Sequence, residues 1–200
     1  MKLPILVDLD GVLFDFVDGF YSIAMEKYPN LYAILPDIVT TFYIEESIDQ
    51  TLLTRELRRQ AYAIVDDKDL FRRLSLIENA VAGINYLKEL SGREVKFVSA
   101  PHCSNFNSYS QKAESIHDKF GRQWVDNLIL TRDKSLVSGI VLIDDKPLPM
   151  GSYKENWEHI VFDRSYNMTQ SEVKGKYRMF GWSNSEVERL VEYINQKGDK

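Results

Sequence analysis

The sequence predicts an α/β fold built on a doubly wound parallel sheet, and three observations lead there. Short aliphatic runs recur along the chain: Leu3-Pro4-Ile5-Leu6-Val7, Val95-Lys96-Phe97-Val98-Ser99, Leu128-Ile129-Leu130 and Gly139-Ile140-Val141-Leu142-Ile143. They are continuous rather than alternating, which is the pattern of strands covered on both faces. Helical periodicities lie between them, and strand–helix alternation of this kind implies parallel strands joined by right-handed crossovers. The third observation is chemical. The runs end, in order, in Asp8-Leu9-Asp10-Gly11, in Ser99, in a segment carrying Lys134, and in Asp144-Asp145. A parallel sheet gathers such ends at one rim, where open α/β sheets bind their ligands.

The elements follow in chain order. After the first strand, Phe16, Val17, Phe20, Ile23 and Ala24 recur at helical spacing, and Tyr28-Pro29-Asn30 ends that helix. Residues 31–42 are mixed and broken by Pro36. Ile48, Leu52, Leu53, Leu57, Ala61, Ile64 and Val65 predict a second amphipathic helix, with Arg55, Glu56, Arg58 and Arg59 on its polar face. This block is too long for a simple crossover. It reads as a helical cap over residues 15–75, inserted into a core formed by 1–14 and 76–200. Ile77, Val81, Ile84, Leu87 and Leu90 predict the next helix, with Ser75-x-x-Glu78 as its capping box and Gly92 as its stop. A loop over 101–109 leads to a helix over about 110–120, closed by Gly121. Ile160-Val161-Phe162 predicts a fifth strand, and residues 186–196 a last helix with Val187, Leu190, Val191 and Ile194 inward.

Composition narrows the function classes. With 200 residues and 44% hydrophobic content there is material for a full core, so disorder is excluded as a default. A net charge of −5 argues against a surface built to grip a nucleic-acid polymer. Cys103 is the only cysteine, which precludes an intramolecular disulfide and fits a reducing compartment. Met1-Lys2-Leu3-Pro4 runs straight into the first strand, and no apolar stretch reaches membrane-spanning length. The expectation is a cytoplasmic protein with no membrane partner. His102, His117 and His159 are scattered without ligand spacing, so no zinc site is implied.

A lone D-x-D-G is readily a charged turn, and a lone lysine a solvated one. Two strands ending in paired aspartates, with a hydroxyl and a cation between them, call for more. Asp8 is ionised at neutral pH and can act as a nucleophile on a phosphoryl group without a base. Attack on a phosphate dianion requires cations, which points to Mg²⁺ held by Asp8, Asp144 and the backbone carbonyl of Asp10. The Asp10 side chain is then free to serve as general acid and base, provided its pKa is raised. Lys134 offsets charge and holds a phosphate oxygen, and Ser99 donates a hydroxyl hydrogen bond. Asp145 is expected to anchor Lys134 or a metal-bound water. Phe14, Phe16, Phe42 and Tyr43 read first as core residues, with pocket lining as the alternative.

Together the D-x-D-G motif, Ser99, the Lys134 segment and Asp144-Asp145 resemble the haloacid dehalogenase (HAD) superfamily of phosphohydrolases. Longer strings are narrower still: residues 130–138, Leu142-Ile143-Asp144-Asp145-Lys146-Pro147, Trp157-Glu158-His159-Ile160-Val161-Phe162 and Asp8-Leu9-Asp10-Gly11-Val12-Leu13. These resemble the 5'(3')-deoxyribonucleotidase family. The resemblance implies a HAD-like fold with a helical cap and Mg²⁺-dependent removal of phosphate from deoxyribonucleoside monophosphates. It also implies a homodimer. Phe16 matches an aromatic of the nucleoside pocket, Phe42 and Tyr43 fall on a Phe-Trp pair, and Lys112 falls on a lysine that approaches the phosphate, a surface role being its alternative. Two positions depart from the pattern. Ala100 stands where Ser is usual, and Lys146 replaces an Arg, keeping charge but losing bidentate geometry. The alternatives left open are a HAD phosphatase acting on another small metabolite and a non-catalytic nucleotide-binding protein.

Overall fold

In the computed structural model, residues 2–149 and 151–198 are described; positions 1, 150, 199 and 200 of the expected core lie outside the described residues. The strands are β1 (Ile5–Val7), β2 (Phe14–Asp15), β3 (Ser75–Leu76), β4 (Val95–Ser99), β5 (Leu128–Leu130), β6 (Val141–Asp144), β7 (Glu158–Phe162) and β8 (Arg178–Met179). The helices are α1 (Phe16–Lys27), α2 (Pro29–Tyr32), α3 (Ile44–Ser47), α4 (Arg55–Val65), α5 (Leu70–Arg73), α6 (Ala80–Ser91), α7 (Asn107–Phe120), α8 (Arg122–Val125) and α9 (Asn184–Lys197).

Six strands form one parallel sheet in the order β5-β4-β1-β6-β7-β8. The doubly wound α/β architecture expected from the strand runs is therefore present. The chain leaves β1 for β4 on one side and later returns to β6 on the other, so β1 sits at the switch point where a crevice opens. Register fixes what meets there. Val7 lies opposite Phe97 on one side and Ile143 on the other. Asp8, Ser99 and Asp144 consequently emerge at the same rim, and Lys134 follows within four residues of Leu130, the partner of Ser99.

Alternation along β1 buries both faces. Ile5 and Val7 belong to the large hydrophobic cluster on one side, while Leu6 packs with Val98, Leu142 and Trp157 on the other. The helical segment between β2 and β3 contributes Phe20, Ile23, Leu31, Ile64 and Leu70 to the same cluster as Ile5 and Val7. Strands β2 and β3 pair antiparallel, Phe14 with Leu76 and Asp15 with Ser75, at the two ends of that segment. The Asp15 carboxylate also caps α1, accepting from the Asp18 N–H at 3.0 Å.

Several local expectations need correction. The helix expected over 48–65 begins only at Arg55: Asp49 folds a turn onto Thr51, and Thr54 opens α4 by accepting from the Leu57 N–H, while the short α3 ends before residue 48. Ser75 is not a helix cap. It is taken by the pairing with β2, and its hydroxyl donates to Asp18 Oδ2 at 2.9 Å. Helix α6 instead starts at Ala80, after Asn79 in the left-handed conformation (φ 61°). The stop at Gly92 is as expected, with φ 58°. The strand β8 was not foreseen, since two residues carry no readable periodicity.

Leu6 is fully buried in the smaller cluster, where few neighbours can collapse into a void. Leu6→Ala is expected to cost ~2–5 kcal/mol of unfolding free energy, read as a fall in the urea midpoint with an unchanged slope.

Candidate active site

Asp8 leaves the end of β1, with its backbone N–H donating to the Ile143 carbonyl at 2.9 Å, which holds the start of the loop against β6. One carboxylate oxygen, Oδ2, lies 2.9 Å from the Lys134 ammonium. The other, Oδ1, is buried and makes no hydrogen bond within the protein. Lys134 also donates to Asp144 Oδ2 at 2.6 Å, so a single buried ammonium bridges the ends of β1 and β6. Burial works against the Lys134 charge, but the Asp144 and Asp8 carboxylates outweigh it and raise its pKa. Lys134 therefore stays an ammonium throughout the neutral range. Far from being a solvated lysine, it opens the 3-10 turn 134–136, which Asp133 caps by accepting from the Ser135 N–H at 3.0 Å. Trp157 Nε1 donates to the Lys134 carbonyl at 3.2 Å and braces the turn from beneath.

Asp144 is buried, and its Oδ1 accepts the Lys146 N–H at 2.9 Å. Asp145 turns away from Lys134. Its Oδ2 accepts from the Tyr166 hydroxyl at 2.5 Å and its carbonyl from Asn167 Nδ2 at 2.7 Å. Of the two roles expected of Asp145, anchoring Lys134 or a metal-bound water, the first is taken by others: Asp144 and Asp8 hold Lys134, and Tyr166 holds Asp145. Carboxylate oxygens of Asp8, Asp144 and Asp145 lie within 4.8 Å of one another. Burial, the Asp144 charge and the Asp8 charge together push the Asp145 carboxyl well above its ordinary value.

Asp10 faces the other way. Its carboxylate is paired with the Lys112 ammonium, which is almost fully buried on α7 and lies 4.6 Å above the Phe71 ring. A surface role for Lys112 is therefore ruled out. Burial raises the Asp10 pKa, Lys112 opposes the rise, and Asp8 adds to it. Three carboxylates here contact two ammonium groups and a fourth, Asp145, stands beside them, an excess of negative charge that must be met by protons or by a cation. An all-oxygen donor set with one buried, unpartnered carboxylate oxygen fits a hard divalent cation such as Mg²⁺. The side-chain donors available are Asp8, Asp144 and Asp145, whereas the Asp10 side chain is engaged elsewhere, leaving its backbone carbonyl as the expected contribution.

Gly11 closes the D-x-D-G loop with φ +76°, a region that L side chains avoid. A methyl group there would also strike the Asp145 carboxylate and come within 2.7 Å of the Tyr166 hydroxyl oxygen. The glycine is required twice, by backbone conformation and by close approach.

The remaining expected residues divide into two groups. Phe16 packs with Phe71 at 6.2 Å between ring centroids, on the Lys112 and Asp10 side. Phe42 meets Tyr43 at 5.3 Å and Tyr166 at 6.0 Å, with the Lys146 ammonium 5.1 Å above its ring, on the Asp145 side. Tyr43 is half-exposed. Ser99 is buried at the end of β4, and its carbonyl accepts the Thr131 N–H, tying β4 to the loop that leads to Lys134.

Tyr166, Asn167, Trp157 and a functional role for His159 were not readable from the sequence. Lys176 Nζ lies 2.9 Å from His159 Nδ1, and an ammonium has only protons to give, so Nδ1 accepts and Nε2 donates to the Asp144 carbonyl at 3.2 Å. Burial and the neighbouring Lys176 charge lower the His159 pKa to about 4. The unfolded chain takes up this proton near pH 6.5 and the folded chain does not, so stability present above pH 6.5 drains away as pH falls toward 4. Between pH 7 and 5 the native protein should lose ~2 kcal/mol more than His159→Gln, measured by urea unfolding of both proteins at each pH. Equal losses would show that His159 is not buried in its neutral form.

The sheet order, with acidic strand ends at the switch point, defines the class: a hydrolase fold of the haloacid dehalogenase type. Among solved structures, a haloacid dehalogenase-like family hydrolase from Streptococcus pneumoniae superimposes with a TM-score of 0.59 at 14% identity, covering 96% of this chain and 98% of that one. A haloacid dehalogenase-like hydrolase from Xanthomonas campestris gives 0.52 at 11% identity, with 98% of both chains covered. The profile of the family described as 5' nucleotidase, deoxy (pyrimidine), cytosolic type C protein matches residues 2–196. A Bordetella pertussis protein provisionally named 5'(3')-deoxyribonucleotidase is 34% identical over 84% of this chain and 87% of its own length. The mitochondrial 5'(3')-deoxyribonucleotidase of Mus musculus is 29% identical over 90% of this chain and 82% of its own. The human cytosolic-type enzyme is 27% identical over 92% and 91%. The chain belongs to the 5'(3')-deoxyribonucleotidase family, within the phosphoric monoester hydrolases of the HAD superfamily.

Proposed function

We propose that this chain is a Mg²⁺-dependent phosphatase that removes phosphate from deoxyribonucleoside monophosphates through an aspartyl-phosphate on Asp8. The observation that carries the reading is the Asp8 carboxylate itself. One of its oxygens is held by Lys134, and the other is buried and unpartnered beside Asp144 and Asp145. Asp8, Asp144 and Asp145, with the Asp10 carbonyl, are the groups assigned to the ion. Bound there, Mg²⁺ supplies the positive charge that lets a carboxylate approach a phosphate dianion.

In the first step Asp8 attacks phosphorus, a P–O bond to Asp8 forms and the ester P–O bond breaks. The leaving sugar oxygen takes its proton from Asp10. In the second step Asp10 removes a proton from water, which attacks phosphorus. The bond to Asp8 breaks, and inorganic phosphate departs. Asp10 needs a protonated fraction for the first step, and burial supports one. Lys112 opposes it in the free protein. A substrate phosphate competes for the Lys112 ammonium and so frees Asp10 to hold its proton. Lys134 offsets charge on the transferring group, and Ser99 donates to a phosphate oxygen.

The helical segment over 15–75 is assigned as the cap that receives the nucleoside. Phe42 and Tyr43, with Lys146 above Phe42, form one wall, and Phe16 stands on the other side. Aromatic faces stack on any base, which supports a nucleotide over a sugar phosphate.

Phosphate release should be dependent on Mg²⁺, abolished by EDTA, and concentrated on deoxynucleotides in a panel that includes ribonucleotides, sugar phosphates and an aryl phosphate. Asp8→Asn should lower kcat by at least ~10³-fold with an unchanged melting temperature. Turnover confined to aryl or sugar phosphates would discard the nucleotide, and an active Asp8→Asn would discard the nucleophile. Tyr43→Ala should raise KM for deoxynucleotides several-fold while leaving KM for the aryl phosphate nearly unchanged. Equal effects on both substrates would remove Tyr43 from the base pocket.

A further inference from the structure

Four consecutive residues after β7 connect the helical segment to the acidic loops. Arg164 Nε donates to the Gly11 carbonyl at 2.6 Å, and Ser165 Oγ donates to the Val39 carbonyl at 2.6 Å. Tyr166 donates to Asp145 Oδ2 at 2.5 Å, and Asn167 Nδ2 donates to the Asp145 carbonyl at 2.7 Å. Tyr166 is buried, and its ring meets Phe42 edge-on, with centroids 6.0 Å apart. One side chain therefore touches both the proposed base wall and a carboxylate of the proposed metal cluster.

The packing around Tyr166 leaves it little choice. On one side, the hydroxyl and the Asp145 carboxylate fill the space that a Gly11 side chain would need. On the other lies Phe42, which is only half-buried and sits next to the half-exposed Tyr43. Gly11 is fixed by the loop of β1, so the adjustable wall of the Tyr166 site is Phe42. Rotating Asp145 away from Asp8 and Asp144 breaks its buried hydrogen bond to Tyr166, an expensive change. The position of Phe42 thus bears on how firmly Asp145 is presented to its neighbours.

We propose that Tyr166 is a positioning residue that couples the two halves of the site: a base seated against Phe42 and Tyr43, and a divalent cation held by Asp8, Asp144 and Asp145, each strengthen the binding of the other through it. The proposal rests on the nucleotidase reading above and adds to it an order-producing link between base and metal. Coupling of this kind is reciprocal, so the cation must tighten the base by the same factor by which the base tightens the cation.

Thymidine is the probe, because it carries a base and a sugar but no phosphate to reach the ion. Mg²⁺ binding is measured by titration calorimetry with the protein alone and with the protein saturated in thymidine; thymidine binding is then measured with and without Mg²⁺. Thymidine should tighten Mg²⁺ several-fold, at the low end of the ~5–150-fold span of typical couplings, and Mg²⁺ should tighten thymidine equally. Tyr166→Phe keeps the ring and loses the hydroxyl. It should bind Mg²⁺ more weakly, bind thymidine alone as the native protein does, and show no coupling. A merely structural tyrosine would weaken both ligands and leave their coupling intact, which overturns the proposal. So does native protein that binds thymidine without any change in Mg²⁺ affinity, a result needing no variant. Failure of thymidine to bind at all would take the base pocket down together with the proposal. Deoxynucleotide turnover in the substrate panel distinguishes that outcome from loss of the coupling alone.

Discussion

The structure is organised around an electrostatic problem at the end of β1 and β6. Asp8, Asp144 and Asp145 converge within a few ångströms, in surroundings dry enough to raise the pKa values of Asp8 and Asp145. Carboxylates do not crowd together in this way unless something offsets their charge. Lys134 does so for Asp8 and Asp144, donating to both from a buried position, and Lys112 does so for Asp10. The two ammonium groups come from different crossovers, one from the turn after β5 and one from α7. Strands β1, β4, β5 and β6 must be assembled before these ion pairs form. Removing one partner of such a buried pair leaves an uncompensated charge, which is far more costly than the pair is worth.

The ammonium and the carboxylates are in turn held by a layer of backbone contacts. Trp157 fixes the Lys134 carbonyl and His159 fixes the Asp144 carbonyl, with Lys176 deciding which ring nitrogen carries the proton. Asn167 is fully buried and spans the Asp145 and Phe162 carbonyls while accepting from Arg178. These residues leave few degrees of freedom to the loops that present the acidic groups. Rigidity of this kind is what a site needs if charge is to be stabilised without reorganisation during the reaction.

Above that layer the aromatic residues fall into two sets. Phe16 and Phe71 lie with Lys112 toward the β4 side, and Phe42 and Tyr43 lie with Lys146 and Tyr166 toward the β6 side. The helical segment that carries most of them shares its hydrophobic cluster with the sheet. Its backbone is also tied to the core through Asn105, which donates to the Val65 and Asp67 carbonyls, and through Ser165 on Val39. These aromatic residues are therefore held partly by the same packing that stabilises the fold.

By itself the sequence determined the sheet and the contents of its rim. Buried strands announce themselves as unbroken aliphatic runs, and chain direction in a parallel sheet sends Asp8, Ser99, Lys134 and Asp144 to one edge without any knowledge of contacts. Glycine stops such as Gly92 were legible for the same local reason. What only the tertiary structure decided has partners distant in the chain. Ser75 looked like a helix cap until its pairing with Asp15 claimed it, and two-residue β8 exists only because β7 offers it an edge. Asp145 was expected on sequence grounds to anchor Lys134 or a metal-bound water, and the side chain that holds its carboxylate is Tyr166, 21 residues on. A tyrosine among aromatic residues has no periodicity that marks it as a hydrogen-bond donor to a particular carboxylate. That assignment requires the two loops to be brought together, and hydrophobic packing of the whole chain is what brings them.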